Sequence, residues 1–332
     1  MLNDFRQPAF CQTDVTSSVR RNVDLFGDDI VDKKNLSDWF IVPPFSILSV
    51  QSDTWQARKK VWMLRIKDNS QTREYSMRVQ KSKNAPSLKD AIDFMAGTKD
   101  FATSILDPVL CEVLLHWFTE KNYKTFDPFA GDTVFGFCSA YKGRPFTGIE
   151  LRDEQVQHNQ NIIDANGLDA KYILDDAVNL KKHIKKESMD FMFSCPPYAD
   201  LEVYSDKKND LSNMDYCTFF EVIKQVYTDC FLVLKNERFA VVTVGEVRHK
   251  DTGCYIGLIP NIIQIMMDAG FHYYNEIILA TPIGNARLRA GKYMNTNKKI
   301  AKIHQNVLVF YKGNPNNIKK NFKKLKDESR DI

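Results

Sequence analysis

The chain has 332 residues, 43% of them hydrophobic and 12% aromatic, enough to bury a large core and too apolar for a disordered polymer. A formal net charge of +4 permits a polyanionic partner without demanding one. Seven cysteines, odd in number, widely spaced and without a CxxC pair, fit reduced thiols better than a disulfide framework or a cysteine zinc site.

Met1 to Asp14 carries Asp4 and Arg6 where a signal peptide would be apolar, and no apolar run approaches the roughly 18 residues of a membrane span. The expectation is a cytoplasmic protein with no membrane partner. Residues 1–95 show no regular alternation of elements. Within them Arg58 to Lys83 holds nine Lys or Arg against two acids, with Trp55, Trp62 and Tyr75 interleaved. This predicts a separate N-terminal region ending near the turn at Asn84–Ser87. Its basic cluster would serve either as one wall of a nucleic-acid cleft or as a small core with lysines snorkelling around it.

Residues 96–313 read as one α/β catalytic domain. From about Asn122, short apolar runs alternate with stretches of helical length, the pattern of βα units on a largely parallel sheet. Seven strands are predicted: Lys124–Phe126, Phe146–Glu150, Lys171–Leu174, Met189–Ser194, Arg238–Val244, His272–Ala280 and Gln305–Tyr311. Asp153–Ala165 and Asp215–Leu234 read as helices. Thr281–His304 is polar, poorly periodic and glycine-containing, so a long functional loop is expected there. Residues 314–332 are a charged, Lys-rich tail expected to be solvated.

The first strand runs into Asp127-Pro128-Phe129-Ala130-Gly131-Asp132-Thr133, an acidic turn in which Gly131 lets a ligand approach the backbone. Glu150 ends the second strand 19 residues beyond Gly131, near the spacing at which an acid grips ribose hydroxyls in dinucleotide-binding folds. Asp175 and Asp176 end the third. A diphosphate would be repelled by Asp127 and Asp132. The ligand these acids suit therefore carries a positive centre and a ribose, as S-adenosylmethionine does. Each acid taken singly is equally readable as a helix cap or turn residue; their joint placement favours the ligand.

The fourth strand ends in Cys195-Pro196-Pro197-Tyr198. Two prolines stiffen this turn and leave its carbonyls free of helical bonds. The tetrapeptide resembles the signature of the DNA amino-methyltransferases that modify adenine N6 or cytosine N4, which is Asp, Asn or Ser followed by Pro-Pro and an aromatic. The resemblance extends over about residues 40–313. Phe101-Ala102-Thr103-Ser104-Ile105-Leu106-Asp107-Pro108 is similar to the family's cofactor-contacting segment, placed before the Asp-Pro-Phe turn as in the circular order called gamma. Ile41–Trp62, Val244-Gly245-Glu246-Val247-Arg248 and His304-Gln305-Asn306-Val307-Leu308 resemble phage-encoded methylases.

The resemblance implies a Rossmann-like class I methyltransferase fold: seven mostly parallel strands, the last antiparallel, plus an N-terminal extension. It implies S-adenosylmethionine as methyl donor, with Thr103, Asp127, Phe129, Gly131, Glu150, Asp175 and Asp176 at the cofactor. Cys195 and the Pro196 carbonyl would accept hydrogen bonds from the target amino group, beside Pro197, and Tyr198 would stack on a base flipped out of double-stranded DNA. Cysteine at the first position departs from the pattern and is a weaker acceptor. Sulfur is the near isostere of the serine oxygen that usually accompanies cytosine, which leans the target toward cytosine N4 while leaving adenine N6 open. A cytosine C5 enzyme places Pro before its nucleophilic Cys, the reverse of this order. RNA and protein-glutamine methyltransferases use closely related turns, and a non-catalytic DNA-binding protein on the same fold is the remaining alternative.

Thr281–His304 holds Arg287, Arg289, Lys292, Lys298, Lys299 and Lys302 with no acid, a composition suited to a phosphate backbone. Asn285, Asn295 and Arg287 are candidates for base-edge readout. The stretch from Asp200 to Asp206 is expected to cover the flipped base, with Glu202 or Tyr204 in contact.

Overall fold

The computed structural model describes residues 36–66, 106–199, 204–284 and 286–325. Eight strands form one sheet: β1 Ile47–Ser49, β2 Thr125–Asp127, β3 Phe146–Glu150, β4 Ala170–Leu174, β5 Met189–Ser194, β6 Leu234–Val244, β7 His272–Ala280 and β8 His304–Lys312. Their order is β1-β7-β8-β6-β5-β2-β3-β4. All pairings are parallel except those of β8, which runs antiparallel to both β6 and β7. The chain lays down β2, β3 and β4 in one direction, then returns to the other side of β2 with β5. That reversal opens a crevice beyond the carboxyl ends of β2 and β5, where open α/β sheets hold ligands.

The seven predicted strands are all present, β3, β5 and β7 with the predicted limits. The correction is an eighth strand. β1 lies in the N-terminal region, pairs parallel with β7 from Ile47 opposite Ile278 to Ser49 opposite Ala280, and was hidden by its three-residue length.

Strand periodicity divides the core into two layers. On one face, Phe191 and Phe193 of β5 and Phe239 and Val241 of β6 pack against α3 (Pro108–Phe118) and α4 (Val134–Tyr141). On the other, Met192, Ala240, Val242 and Val244 pack against α7 (Tyr216–Val233) and α8 (Leu258–Asp268). Every residue of β5 is buried, as expected of a parallel strand covered on both faces. α7 begins where the Asp215 carboxylate accepts the Cys217 and Thr218 amides, an N-cap worth about 1 kcal/mol. It buries Phe219, Ile223, Val226, Tyr227, Cys230 and Val233 along one stripe.

Residues 36–66 do not stand apart as the predicted boundary near residue 95 implied. α1 (Leu36–Phe40) is followed by β1 and by α2 (Asp53–Ile66), whose Trp55 and Trp62 lie in the main core. Trp62 Nε1 donates to Glu112 Oε2 at 2.9 Å, and Arg58 donates to both carboxylate oxygens of Glu112 at 2.8 and 2.6 Å. Glu112 is fully buried in the middle of α3. Its charge is tolerable only because a forked guanidinium and an indole meet it. Arg58 and the two tryptophans are therefore internal structure; of the predicted basic cluster, the part from Lys67 to Lys83 lies outside the described residues.

Two further expectations are corrected. The segment between β7 and β8 contains a helix, α9 (Ala286–Asn297), after α5 (Asp153–Ala165) and α6 (Leu180–His183) earlier in the chain. Ala, Arg, Leu, Lys and Met give α9 adequate helix propensity. None of its residues is buried, so no apolar face left a period in the sequence. The charged tail is partly docked: α10 (Ile318–Asn321) packs Ile318 and the following Phe322 onto the core, and Glu237 accepts from Asn317 and Asn321.

Candidate active site

Asp127 terminates β2 at 3% exposure. Its Oδ1 accepts the Phe129 amide at 2.9 Å. Burial pushes its carboxyl up to about 7, aided by the nearby Asp132 and Glu150 charges. The chain then turns through Gly131 at φ 55°, a left-handed conformation that suits glycine. The Gly131 amide donates to Glu150 Oε2 at 3.0 Å and its carbonyl accepts from Asn159 of α5 at 2.9 Å. Glu150 Oε1 also accepts from the Arg152 amide and guanidinium, both at 3.0 Å. The acidic turn after β2 is thereby tied to the acid that ends β3.

Asp175 follows β4. Its carboxylate accepts from His183 at 2.6 Å and from Asn179 and the Asp176 amide at 2.7 Å. The His183 bond foremost, then Asn179, holds it down at about 2. Asp176 caps the Val178 amide at 3.1 Å and accepts Asn209 Nδ2 at 2.7 Å. Local capping and presentation to a common space thus coexist in the same carboxylates.

That space is a cavity of about 480 Å³, within the range of small-molecule sites. Asp127, Phe129, Gly131, Glu150, Asp175 and Asp176 line one part of it. Cys195, Pro196, Pro197, Tyr198 and Tyr204 line another. Cys195 Sγ lies 3.6 Å from the Tyr198 hydroxyl, which accepts Gln305 Nε2 at 3.0 Å. Directly after the turn, Ala199 is buried at φ 47°, a conformation that costs a non-glycine residue roughly 1–2 kcal/mol. The strained residue fixes the direction in which the chain leaves the proline pair.

Past Tyr204, whose amide donates to Ser212 Oγ at 3.2 Å, the chain crosses toward the acidic end. There Asn209 meets Asp176, and Lys207 Nζ donates to the Leu151 carbonyl. Thr103 and Glu202, placed by sequence at the cofactor and the substrate, lie outside the described residues, as does Asn285. Arg287, Arg289 and Lys292 stand on α9, and Lys298 and Lys299 follow it. None of the five lines the cavity. The segment that carries them leaves the cavity wall at Thr281 and Pro282 and returns to it at Gln305.

Sequence reasoning missed Arg152, Asn159, Asn209, Gln305 and Lys59 at this site. Lys59 pairs with Asp107 at 2.9 Å and lines the cavity from α2. Gln305 had one available signal, a polar residue where β8 emerges at the same sheet edge as Cys195.

Numbered from β2, the sheet runs 3-2-1-4-5-7-6 with its seventh strand antiparallel, which is a Rossmann-like class I methyltransferase architecture. No protein-family model matches the chain, and no curated protein matches it. Among solved structures it is similar to TrmN from Thermus thermophilus, at 15% identity and TM-score 0.43 over 62% of this chain; it spans 49% of that one. It is similar to a SAM-dependent methyltransferase from Methanosarcina mazei, at 14% identity and TM-score 0.42 over 60% of this chain and 96% of the other. It also resembles a candidate DNA modification methylase, again from Thermus thermophilus, at 19% identity and TM-score 0.32 over 42% of this chain and 51% of the other.

Proposed function

We propose that this chain is an S-adenosylmethionine-dependent methyltransferase acting on an exocyclic amino nitrogen of a base in double-stranded DNA. The observation that carries the reading is the single cavity shared by the acids at the ends of β2, β3 and β4 and by the Cys-Pro-Pro-Tyr turn at the end of β5. The residues fit the cofactor. Its positive charge suits a wall containing Asp127, its ribose hydroxyls suit Glu150, and its carboxylate suits Lys59. The cofactor, when bound, supplies a methyl carbon activated by a sulfonium.

The rest falls to the chain. An exocyclic amino group is a poor nucleophile because its lone pair is delocalised into the ring. Acceptors at both of its hydrogens favour the pyramidal, reactive form, and in this reading Cys195 Sγ and the Pro196 carbonyl, from two residues of the cavity lining, are those acceptors. The rigid proline pair holds them in register, which supplies alignment in advance of the reaction. Tyr198 offers its ring to an extruded base, and the cations on and after α9 offer contacts to the phosphate backbone beside the cavity.

Purified protein, cofactor and genomic DNA, followed by mass spectrometry of the released nucleosides, tests the reading and names the base. N4-methylcytosine or N6-methyladenine is the expected product. Methyl transfer to RNA or protein in preference to duplex DNA would overturn the substrate, and 5-methylcytosine would overturn the chemistry assigned to Cys195.

A further inference from the structure

A thiol at the position that resembles Asp, Asn or Ser in the family is a weak hydrogen-bond acceptor, so the amino group to be methylated needs something that improves it. Two contacts behind the sulfur do so. Gln305 Nε2, which can only donate, lies 3.0 Å from the Tyr198 hydroxyl oxygen. That hydroxyl lies 3.6 Å from Cys195 Sγ. A phenol has one proton; with an amide donating into its oxygen, that proton is available to be given to the sulfur 3.6 Å away. We infer that Gln305 is a positioning residue, which fixes the Tyr198 hydroxyl as donor to Cys195 and so poises the sulfur as the acceptor for the target amino group.

The sheet makes this arrangement rigid. Gln305 is set in β8, opposite Leu279 of β7. The next residue, Asn306, faces Val244 of β6 and donates to Glu276 at 2.6 Å. Tyr198 rests beside Gly245, where an added Cβ would stand 3.5 Å from the ring. The relay thus joins the end of β5 to the start of β8 across the end of β6. A hydrogen bond donated to sulfur favours the thiolate over the neutral thiol, and a thiolate is the stronger hydrogen-bond acceptor of the two. The inference rests on the proposed methyl transfer for its purpose and on the two contacts for its geometry.

The test is Gln305→Glu, nearly isosteric but accepting where glutamine donates, so that the Tyr198 proton turns away from the sulfur. Gln305→Met, which does neither, separates loss of donation from added charge, and thermal melts establish that both variants fold. Two readouts are taken: kcat and KM for DNA methylation, and the rate at which iodoacetamide alkylates Cys195 at pH 7, followed peptide by peptide in the full chain. In Gln305→Glu, kcat is expected to fall about tenfold, the worth of one strong hydrogen bond, with KM for the cofactor unchanged within about twofold. Cys195 alkylation should slow as well, because losing the donated hydrogen bond lowers the fraction present as the reactive thiolate. Tyr198→Phe should slow alkylation similarly, and in its presence the uncharged Gln305→Met should have no further effect on that rate. Equal alkylation in wild type, Gln305→Glu and Tyr198→Phe overturns the relay even if DNA is methylated. Slowed alkylation without any methylation supports the relay and overturns the proposed reaction.

Discussion

Cofactor binding should be coupled to a proton at Asp127. Its carboxyl is held up at about 7, principally by burial. At pH 5.5 about 3% of molecules carry it ionised, and at pH 7 about half do. If the bound cation requires the ionised form, the apparent Kd scales inversely with that fraction, so binding should tighten about fifteenfold from pH 5.5 to 7. An α-amino group, with a pKa near 7.7–8.0, stays mostly protonated over this window and does not mask the effect. Binding at pH 7 should release about half a proton, measurable by calorimetry in two buffers of different ionisation enthalpy. The sign for stability is opposite. A carboxyl raised above its unfolded value of 3.8 destabilises the ligand-free fold increasingly as pH climbs from about 4 to 7, by up to about 4 kcal/mol. Asp127→Asn should therefore stabilise the ligand-free protein above pH 7, gain nothing near pH 4, and abolish the pH dependence of a much weakened Kd. A Kd that is flat from pH 5.5 to 7 in the wild type, with no proton released, would refute the reasoning.

Other perturbations follow from the same geometry. Arg58→Ala leaves the fully buried Glu112 with Trp62 as its remaining side-chain partner among the described residues, and should cost about 3–5 kcal/mol in urea unfolding; Arg58→Ala with Glu112→Gln together should recover part of it. Tyr198→Ala removes the ring proposed to stack on the base. It should lower methylation about ten- to a hundredfold while leaving cofactor Kd nearly unchanged. Replacing Arg287, Arg289 and Lys292 by Ala should reduce the slope of log Kobs for DNA against log salt by about 3. Because none of them lines the cavity, cofactor affinity should not move; an unchanged salt slope would remove α9 from the DNA surface.

What the sequence made legible was whatever has a short-range signature. The strands are apolar runs, the acids stand at strand ends, and the proline pair announces its own rigidity, so the cavity's two parts could be assembled before any contact was known. What stayed hidden lacked such a signature. α9 buries nothing and has no period. β1 is three residues long and exists as a strand only because β7 offers it an edge. Trp55 and Trp62 read equally as part of a nucleic-acid cleft wall or as a small core, because composition cannot say which face of α2 is turned inward; Glu112, 50 residues after Trp62, decides for the core. Gln305 is 107 residues from Tyr198, and only the placement of β8 beside β6 brings them together.

The same long-range packing gives Lys59 its role. It reaches the cavity from α2, where Asp107 holds its ammonium at 2.9 Å and Trp55 Nε1 donates to the other oxygen of that carboxylate at 3.2 Å. The other basic wall residue, Arg152, is already engaged with Glu150 and Gln155. In a cavity otherwise dominated by carboxylates, Lys59 is the cation best placed for the carboxylate of an amino-acid-bearing cofactor. Its side chain is 38% exposed, so solvent screening discounts the pair, and Lys59→Met should weaken S-adenosylmethionine binding by about tenfold rather than by the full worth of a buried charge-assisted bond. The decarboxylated analogue provides the internal control. Wild type and Lys59→Met should bind it equally well, and a loss of the same size for both ligands would show that Lys59 acts by holding Asp107 and α2 in place instead of meeting the ligand.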